Sequence, residues 1–486
     1  MKTIAAGLLL LVVAAKSFSA DQPPVPSGPQ TDGSFQKVIL DADQQISGQF
    51  ADTLKDPMEM AVAADGRVFY AEREGVVKMW RPETKTTVVI AKLPVFSTGG
   101  KNLEDGLLGI TLDPNFPKNG WVYLNHSLPE TNQDAQGKKQ GIIRVSRFTL
   151  KGDTLDLKSE KVVLENPTQR EECCHVGGSM TFDAQGNLYV SVGDNTNPFA
   201  SDGYSPMDER PGRSPWDAQR SAGNANDLRG KILRIHPEAN GSYTIPKGNL
   251  FPPGSSNTRP EIYVMGCRNP FRISIDKKNG FLYWGEVGPD AAVLKVNRGP
   301  AGQDEINQAR QAGNFGWPYF VADNKPYYKY DFERKTSGDP FNPLKPVNNS
   351  PNNTGIKELP PAQPAFINYA SSPSVKFPVV NGAGGRTAMA GPVYYFDPNL
   401  KSEHKLPKEF DHTLFIYEWS RNWIIAVHLD QNENIARMEK FCSKMTFKRP
   451  MDMELGADGC LYLIEFGTAW GNNTDTQIVR IEHHAP

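Results

Sequence analysis

Short stretches in which apolar and polar residues alternate recur along most of the chain, and tight turns join them in pairs. The clearest copies, at residues 60–71 and 453–465, have an Asp-Gly turn followed by β-branched and aromatic residues. Alternation with a period of two predicts half-buried strands, and such turns join antiparallel neighbours. The pattern therefore predicts repeated strand–turn–strand units, each followed by one further strand.

Six such units can be counted along the chain. They lie within residues 60–80, 109–150, 179–235, 271–307, 390–429 and 453–481. Repeats of this size and strand content are typical of β-propellers. We therefore predict an all-β fold, a six-bladed β-propeller, with a large β-sandwich or two unrelated β domains as the alternative. Two long polar segments, 195–227 and 322–386, interrupt the units, and we expect them to cover one end of the propeller.

The N-terminus has the pattern of a secretory signal. Lys2 precedes an apolar run at residues 4–15, too short to cross a bilayer, and small residues follow at 17–20. We predict a cleaved signal peptide at residues 1–20, a flexible lead-in at 21–36 and the propeller domain at 37–486. The mature chain is expected to be secreted or periplasmic, with no membrane span.

Charge and cysteine content narrow the possible partners. The formal net charge of −2 over 486 residues gives no electrostatic reason to bind nucleic acid. An exported chain can form disulfides, and Cys442 with Cys460, which flank a predicted hairpin, is the most favourable pair. Cys173 and Cys174 could pair with each other, or either with Cys267. No Cys-x-x-Cys-His haem motif is present, so electrons from a redox reaction would leave to a separate acceptor.

Side chains with useful chemistry stand just before the first strand of several units, and they are Glu104, His175, Arg268, Asn269, Lys448 and Arg449. The innermost strands of a propeller line its central channel, so we expect these groups to converge on one concave site. Histidine titrates near neutral pH, which suits a general base. For any one of these residues alone, a loop cap or a salt bridge between blades is the better explanation, but their shared position in the repeat favours a common site.

Several short motifs, taken together, resemble the soluble quinoprotein glucose/sorbosone dehydrogenase family of pyrroloquinoline quinone (PQQ)-dependent sugar dehydrogenases. They lie at residues 106–110, 113–116, 175–179, 193–195, 268–270, 286–289, 304–307 and 313–318. The resemblance covers most of the mature chain in one order. It implies a six-bladed propeller that oxidises a sugar, an aldose or a sugar alcohol, with PQQ and calcium as cofactors and a separate electron acceptor.

The resemblance also implies roles for individual residues. His175 matches the base that removes a proton from a sugar hydroxyl, and Arg268 and Asn269 match contacts to the quinone carbonyls. A cation there would stabilise negative charge that develops during transfer. Gly288 and Pro289 match the backbone carbonyls that hold calcium, an ion that prefers oxygen ligands.

Further positions follow with less direct correspondence. Asp194 matches a polar position near the substrate. The cationic grip on the cofactor would come from Arg421, Lys448 and Arg449, in a pattern different from the family's, and Glu104 would face the cofactor as a carboxylate. Trp216, in the insertion at 205–220, could stack on a sugar ring or simply order a surface loop.

Two other functions are compatible with the same fold. One is a calcium-dependent lactonase or other hydrolase, and the other is a non-catalytic carbohydrate-binding propeller in which His175 and Arg268 only orient the ligand. Fold alone does not separate these functions from a dehydrogenase.

Overall fold

The computed structural model describes residues 24–28, 34–43, 53–97, 104–135, 137–382 and 384–484, so the predicted signal peptide lies outside the described residues. Strands dominate this part of the chain. The first sixteen are β1 (Phe35–Ala42), β2 (Pro57–Val62), β3 (Val68–Glu72), β4 (Val76–Arg81), β5 (Thr86–Lys92), β6 (Leu107–Leu112), β7 (Trp121–Ser127), β8 (Asn132–Gln133), β9 (Lys139–Lys151), β10 (Thr154–Gln169), β11 (Gly177–Phe182), β12 (Leu188–Val192), β13 (Lys231–Pro237), β14 (Tyr243–Thr244), β15 (Ile262–Met265) and β16 (Pro270–Ile275).

The remaining strands are β17 (Leu282–Glu286), β18 (Asp304–Ala309), β19 (Gly313–Asn314), β20 (Phe320–Val321), β21 (Lys325–Pro326), β22 (Tyr328–Asp331), β23 (Thr336–Pro340), β24 (Ile367–Tyr369), β25 (Ala388–Tyr394), β26 (Thr413–Glu418), β27 (Trp423–Leu429), β28 (Ile435–Lys440), β29 (Pro450–Leu455), β30 (Leu461–Glu465) and β31 (Gln477–His483). One short α-helix, α1 (Phe116–Asn119), and four 3₁₀ turns (Ser214–Trp216, Ala218–Arg220, Pro378–Val380 and Lys408–Phe410) complete the set. Within the described ranges, no helix has the length and apolar character needed to cross a membrane.

Six sheets form the blades, each with a core of four antiparallel strands, which confirms the predicted six-bladed propeller. From the innermost strand outward these cores are β2-β3-β4-β5, β6-β7-β9-β10, β11-β12-β13-β15, β16-β17-β18-β24, β25-β26-β27-β28 and β29-β30-β31-β1. Strand β8 extends the second sheet, and β14 and β19 extend the third, where β19 pairs parallel to β15. The sixth blade takes its outer strand from the N-terminal part of the chain, with Phe35 paired to His483. This pairing closes the ring of blades. Within the predicted lead-in, β1 begins at Phe35, and Ser27 bridges Met438 on the edge of the fifth blade.

The second strand of several blades is more deeply buried than the alternating pattern predicts. Every residue of β3, β12, β17, β26 and β30 is buried. Because blades pack face to face around the ring, these strands are covered on both faces, as in a sheet between two layers. Each fully buried large aliphatic or aromatic side chain contributes about 1.5–3 kcal/mol to the stability of this packing.

A polar network fills the channel where the six innermost strands meet. Glu59 accepts hydrogen bonds from the backbone N–H groups of Ile110 at 2.9 Å and Met180 at 3.3 Å. Arg272 is 1% exposed, and its Nε lies 3.6 Å from a carboxylate oxygen of Asp452. Burial raises the pKa of Glu59 to about 8. The network joins different blades, and each of these three side chains belongs to the third residue of its inner strand.

The two long insertions contact each other. The amide of Asn348 donates to the backbone carbonyls of Gln219 and Gly223, both at 2.8 Å. The hydroxyl of Ser350 donates to buried Asp217 at 2.6 Å. The segments predicted to lie over one end of the propeller therefore fold as one joined unit rather than as two independent loops.

Candidate active site

Four blades share a glutamate at the end of the channel where their inner strands begin. The second strand of each ends in a buried carboxylate that accepts backbone N–H groups from the loop leading into the inner strand. These residues are Glu72, Glu286, Glu418 and Glu465. Burial raises the pKa of both Glu286 and Glu418 to about 8. The repeated glutamate therefore fixes the loops that form the mouth of the channel.

Blade three has an aspartate–histidine pair at this end of the sheet. Asp194 is fully buried, and its Oδ1 lies 2.7 Å from Nδ1 of His175. The same oxygen accepts the N–H of Thr196 at 3.0 Å, and Oδ2 accepts the indole N–H of Trp317 at 2.8 Å. A carboxylate that accepts at every contact requires the proton on Nδ1 of His175, which leaves the lone pair on Nε2. An imidazole held in this way can act as an oriented general base.

The backbone of His175 lies in the left-handed region, with φ of 63°. Such a conformation is costly for a non-glycine residue and persists where surrounding contacts determine it. Here Oε2 of Glu104 accepts the N–H groups of His175 at 3.0 Å and Val176 at 3.2 Å, and the carbonyl of His175 accepts from Asn195 at 3.1 Å. The loop is therefore held from both sides.

Glu104 also connects to Asn269 of blade four. The amide of Asn269 lies 3.4 Å from Oε2 of Glu104, and its oxygen accepts the N–H of Gly177 at 3.1 Å. The family resemblance implies that Glu104 faces the cofactor as a carboxylate, which would repel an anionic ligand. In the structure, Oε2 of Glu104 instead accepts hydrogen bonds from groups that precede the inner strands of blades three and four.

Arg268 lies next to this histidine loop, because its carbonyl accepts the N–H of Asp194 at 2.8 Å. Its guanidinium donates to the carbonyl of Val287 at 2.9 Å and lies 3.8 Å from the exposed carboxylate of Asp290. The Nε atom of Arg268 is buried and has no partner within the described part of the chain. A buried donor without an acceptor costs about 1–3 kcal/mol, so an oxygen-rich ligand would be stabilised here.

Arg386 also lies at the channel mouth, although it was not singled out from the sequence. Its guanidinium, 6% exposed, donates to the carbonyls of Pro289 at 2.7 Å and Gly302 at 2.8 Å and pairs with buried Asp304 at 3.2 Å. Its position in the repeat could have revealed it. Arg386 stands two residues before the inner strand of its blade, as His175 and Arg268 do in theirs.

The contacts of Arg386 bear on the expected calcium site at Gly288 and Pro289. The N–H of Gly288 donates to Asp304 at 3.1 Å, and the carbonyl of Pro289 accepts from the guanidinium. The Pro289 carbonyl has a second lone pair, but an ion bound through it would lie beside the positive charge of Arg386. The arrangement does not fit calcium at that carbonyl, and Arg386 supplies a fixed positive charge in its place.

The other predicted cations are engaged elsewhere. The guanidinium of Arg421 donates to three backbone carbonyls between residues 370 and 385, at 2.9–3.1 Å. Lys448 Nζ lies 3.4 Å from a carboxylate oxygen of Asp475. Arg449 covers the rings of Trp419 and Trp470, at 4.3 and 5.1 Å from their centroids. Lys448 and Arg449 remain at the end of the channel where β29 begins, whereas Arg421 joins the β26–β27 turn to the segment between β24 and β25.

Trp216 contacts an arginine of its own insertion. The guanidinium carbon of Arg213 lies 3.5 Å from the centroid of the Trp216 ring, and Arg213 also pairs with Asp208. This stacking supports the structured-loop interpretation of Trp216. A sugar would have to use the opposite face of the ring.

The cysteines pair differently from the most favourable prediction. A disulfide joins Cys173 to Cys174, immediately before His175. Cys267 and Cys460 are buried free thiols, so the expected Cys442–Cys460 bridge is not formed.

Two glycines follow the histidine loop, and a Cβ at Gly178 would lie 2.6 Å from the Cβ of Leu108. Glycine is therefore required at that position by packing against blade two.

A family model described as Glucose / Sorbosone dehydrogenase matches residues 54–357. Among curated proteins, the chain is 29% identical over 238 residues to Hedgehog-interacting protein of Mus musculus, covering 46% of this chain and 31% of that protein. It is 25% identical over 270 residues to Quinoprotein glucose dehydrogenase B of Acinetobacter calcoaceticus, covering 54% of this chain and 50% of that protein. The chain thus spans half or less of the length of these relatives.

Solved structures show the same fold. A glucose dehydrogenase structure from Thermus thermophilus has a TM-score of 0.58 at 22% identity, covering 92% of this chain and 99% of that one. The PQQ-bound aldose sugar dehydrogenase of Streptomyces coelicolor has a TM-score of 0.53 at 17% identity, covering 93% and 99%. At these identities the likeness establishes the propeller and not the reaction.

Proposed function

The chain belongs to the glucose/sorbosone dehydrogenase family, and from that premise we propose that it is an exported, PQQ-dependent dehydrogenase that oxidises an aldose or a sugar alcohol. The observation that carries the proposal is the 2.7 Å contact between Nδ1 of His175 and buried Asp194, because it orients Nε2 as a base at the channel mouth. The curated relative named as a quinoprotein supports PQQ as the cofactor class.

The mouth fits an anionic, oxygen-rich cofactor. Arg268 offers a buried donor without a partner among the described residues, and Arg386 adds a fixed positive charge. Lys448 and Arg449 precede the neighbouring inner strand and would bind carboxylates at the rim. When bound, PQQ would supply the two-electron acceptor for sugar oxidation. The positive charge of Arg386 at the carbonyl of Pro289 disfavours calcium there.

The chain's own part in the reaction is proton transfer and orientation. Nε2 of His175 takes the proton of the sugar hydroxyl, and Asp194 stabilises the imidazolium that forms. Arg268 places positive charge where negative charge develops. Glu104 and Glu286 position these two residues through hydrogen bonds to their backbone N–H groups. Reducing equivalents leave to a separate acceptor, since no haem attachment motif occurs in the sequence.

The test is sugar-dependent dye reduction by the purified chain after incubation with PQQ, across a panel of aldoses and sugar alcohols. We expect activity with wild type and a fall of about 10²–10⁴-fold in kcat for His175→Gln, with PQQ still bound. His412→Gln is the matched control, because this partly buried histidine pairs with Glu433 at the end of blade five opposite the channel mouth and should retain full activity. Failure of wild type to bind PQQ would refute the dehydrogenase proposal.

A protein-binding propeller without catalysis is the second candidate. It is favoured by the match to Hedgehog-interacting protein, whose identity of 29% exceeds the 25% shared with the quinoprotein. Under this function the His175–Asp194 pair would only hold the loop in shape. The same assay separates the two functions, since a binding propeller would show neither PQQ binding nor dye reduction.

A further inference from the structure

Two histidines and a glutamate meet at the end of the propeller opposite the channel mouth. His404 lies in the loop between β25 and β26, Glu482 near the end of β31, and His484 just beyond that strand. The loop and strand are joined by a hydrogen bond from the N–H of His483 to the carbonyl of His404 at 3.1 Å. None of these residues contributes to the proposed dehydrogenase site.

The three side chains direct ligand atoms at a common point. Nε2 of His404 lies 3.7 Å from Oε2 of Glu482, Nε2 of His484 lies 3.3 Å from the same oxygen, and all three atoms lie within 4.8 Å of one another. In a tetrahedral site with bonds of about 2.0–2.1 Å, ligand atoms are about 3.3–3.4 Å apart. A small closure of the cluster would therefore place an ion at bonding distance from all three.

Neighbouring groups orient these ligands as metal sites require. Nδ1 of His404 lies 3.3 Å from the carbonyl of His483, which favours the tautomer with its lone pair on Nε2. The other carboxylate oxygen of Glu482 accepts from Nε of Arg480 at 2.9 Å, which leaves Oε2 for the histidines. Two imidazole lone pairs that face this carboxylate would repel it, and a metal ion bound between them would remove that repulsion.

The ligand types select the class of ion. Imidazole suits zinc, copper and nickel, whereas calcium and magnesium prefer a shell of oxygen atoms. Glu482 is buried, but the side chains of His404 and His484 are 35% and 43% exposed. An ion can therefore enter from solvent, and water can take the fourth position.

We propose that His404, Glu482 and His484 bind one divalent transition-metal ion of the zinc class. This ion joins the β25–β26 loop of blade five to β31 of blade six. Glu482 pairs with Gln36 on β1, the strand that closes the ring. An ion held here is bound only in the folded, closed propeller, so its binding stabilises ring closure. The site is independent of sugar oxidation.

The experiment is calorimetric titration of Zn²⁺ into the full chain, purified without a polyhistidine tag and treated with a chelator. We expect one zinc per chain, a thermal midpoint raised by about 2–3 °C at 100-fold excess over Kd, and no comparable binding of Ca²⁺. His404→Gln and His484→Gln should each weaken zinc binding at least tenfold. Both histidines are partly exposed, so these variants should fold normally.

His412→Gln is the matched control, since it removes a partly buried histidine that pairs with one glutamate, at 2.9 Å, and should bind zinc as wild type does. Substituted Co²⁺ would report four-coordination through its visible spectrum, and that signal should disappear in His484→Gln. Zinc binding that is unchanged in both cluster variants, or absent from wild type, would overturn the proposal.

Discussion

Replacing Asp194 by Asn tests the orientation of His175 directly. Both carboxylate oxygens accept N–H donors: Oδ1 binds His175 and Thr196, and Oδ2 binds Trp317. An asparagine must present its NH₂ to one of these two sides. If it faces Trp317, a buried indole loses its acceptor. If it faces His175, Nδ1 must accept, the proton moves to Nε2, and the base is lost.

The magnitude follows from these two orientations. Either leaves one buried donor unsatisfied, which lowers the free energy of unfolding by about 1–3 kcal/mol. The catalytic loss should be larger, because the negative charge opposite the imidazolium is removed in both orientations. We expect kcat to fall about 10²–10⁴-fold, which corresponds to about 2.7–5.4 kcal/mol in activation free energy.

The assay compares dye-reduction kinetics and chemical denaturation of the PQQ-loaded variant with those of Asp183→Asn. Asp183 is a buried aspartate in the same blade whose carboxylate accepts N–H groups at the β11–β12 turn, at the far end of the strands. It should lose comparable stability and keep its activity. If Asp194→Asn keeps kcat within twofold of wild type, or if both variants lose activity equally, Asp194 does not orient His175 for catalysis.

Three further outcomes are expected. The guanidinium of Arg386 binds the carbonyl of Pro289, so chelating calcium should leave PQQ binding by wild type unchanged. Arg386→Met should weaken PQQ binding at least tenfold. PQQ binding by wild type that depends on calcium would contradict this prediction. Burial raises the pKa of Glu59, Glu286 and Glu418 to about 8. The folded state therefore keeps protons that the unfolded state loses above about pH 4.5, so the free energy of unfolding should fall as pH rises from 5 to 8, and Glu418→Gln should flatten that slope in denaturation curves. Glu104→Ala should lower kcat, because Glu104 positions the backbone of His175. PQQ affinity, measured by titration, should change little. An equal loss of kcat in Glu104→Gln, which keeps an acceptor oxygen, would argue against a positioning role.

The architecture was accessible from sequence because each blade repeats the same local pattern. The turn and the following apolar strand recur six times, and blade packing only changed the degree of burial, as in β30. The ring-closing pair of β1 and β31 was not accessible, since it joins residues between 435 (Ala42 and Gln477) and 448 (Phe35 and His483) positions apart and neither strand carries a pairing signal.

The site was accessible only in part. His175, Arg268 and Glu104 shared a position before inner strands, and the structure brings their loops together. The contact between Glu104 and the histidine loop was not predicted, because a carboxylate's partner depends on distances between blades. Arg386 was missed because the sequence favours Arg421, nearer an obvious strand, as the cation of blade five, whereas aligning repeats by the inner strand identifies Arg386.

We propose that this mouth binds a quinone and uses His175 to oxidise a sugar. The most direct measurement is a single turnover without dye, in which an aldose is mixed anaerobically with the PQQ-loaded chain and the absorbance of the bound cofactor is followed. We expect rapid sugar-dependent loss of the oxidised spectrum in wild type, slowed at least a hundredfold in His175→Gln. A loaded chain whose spectrum no aldose or sugar alcohol changes, or a His175→Gln variant that reacts at the wild-type rate, would contradict the account.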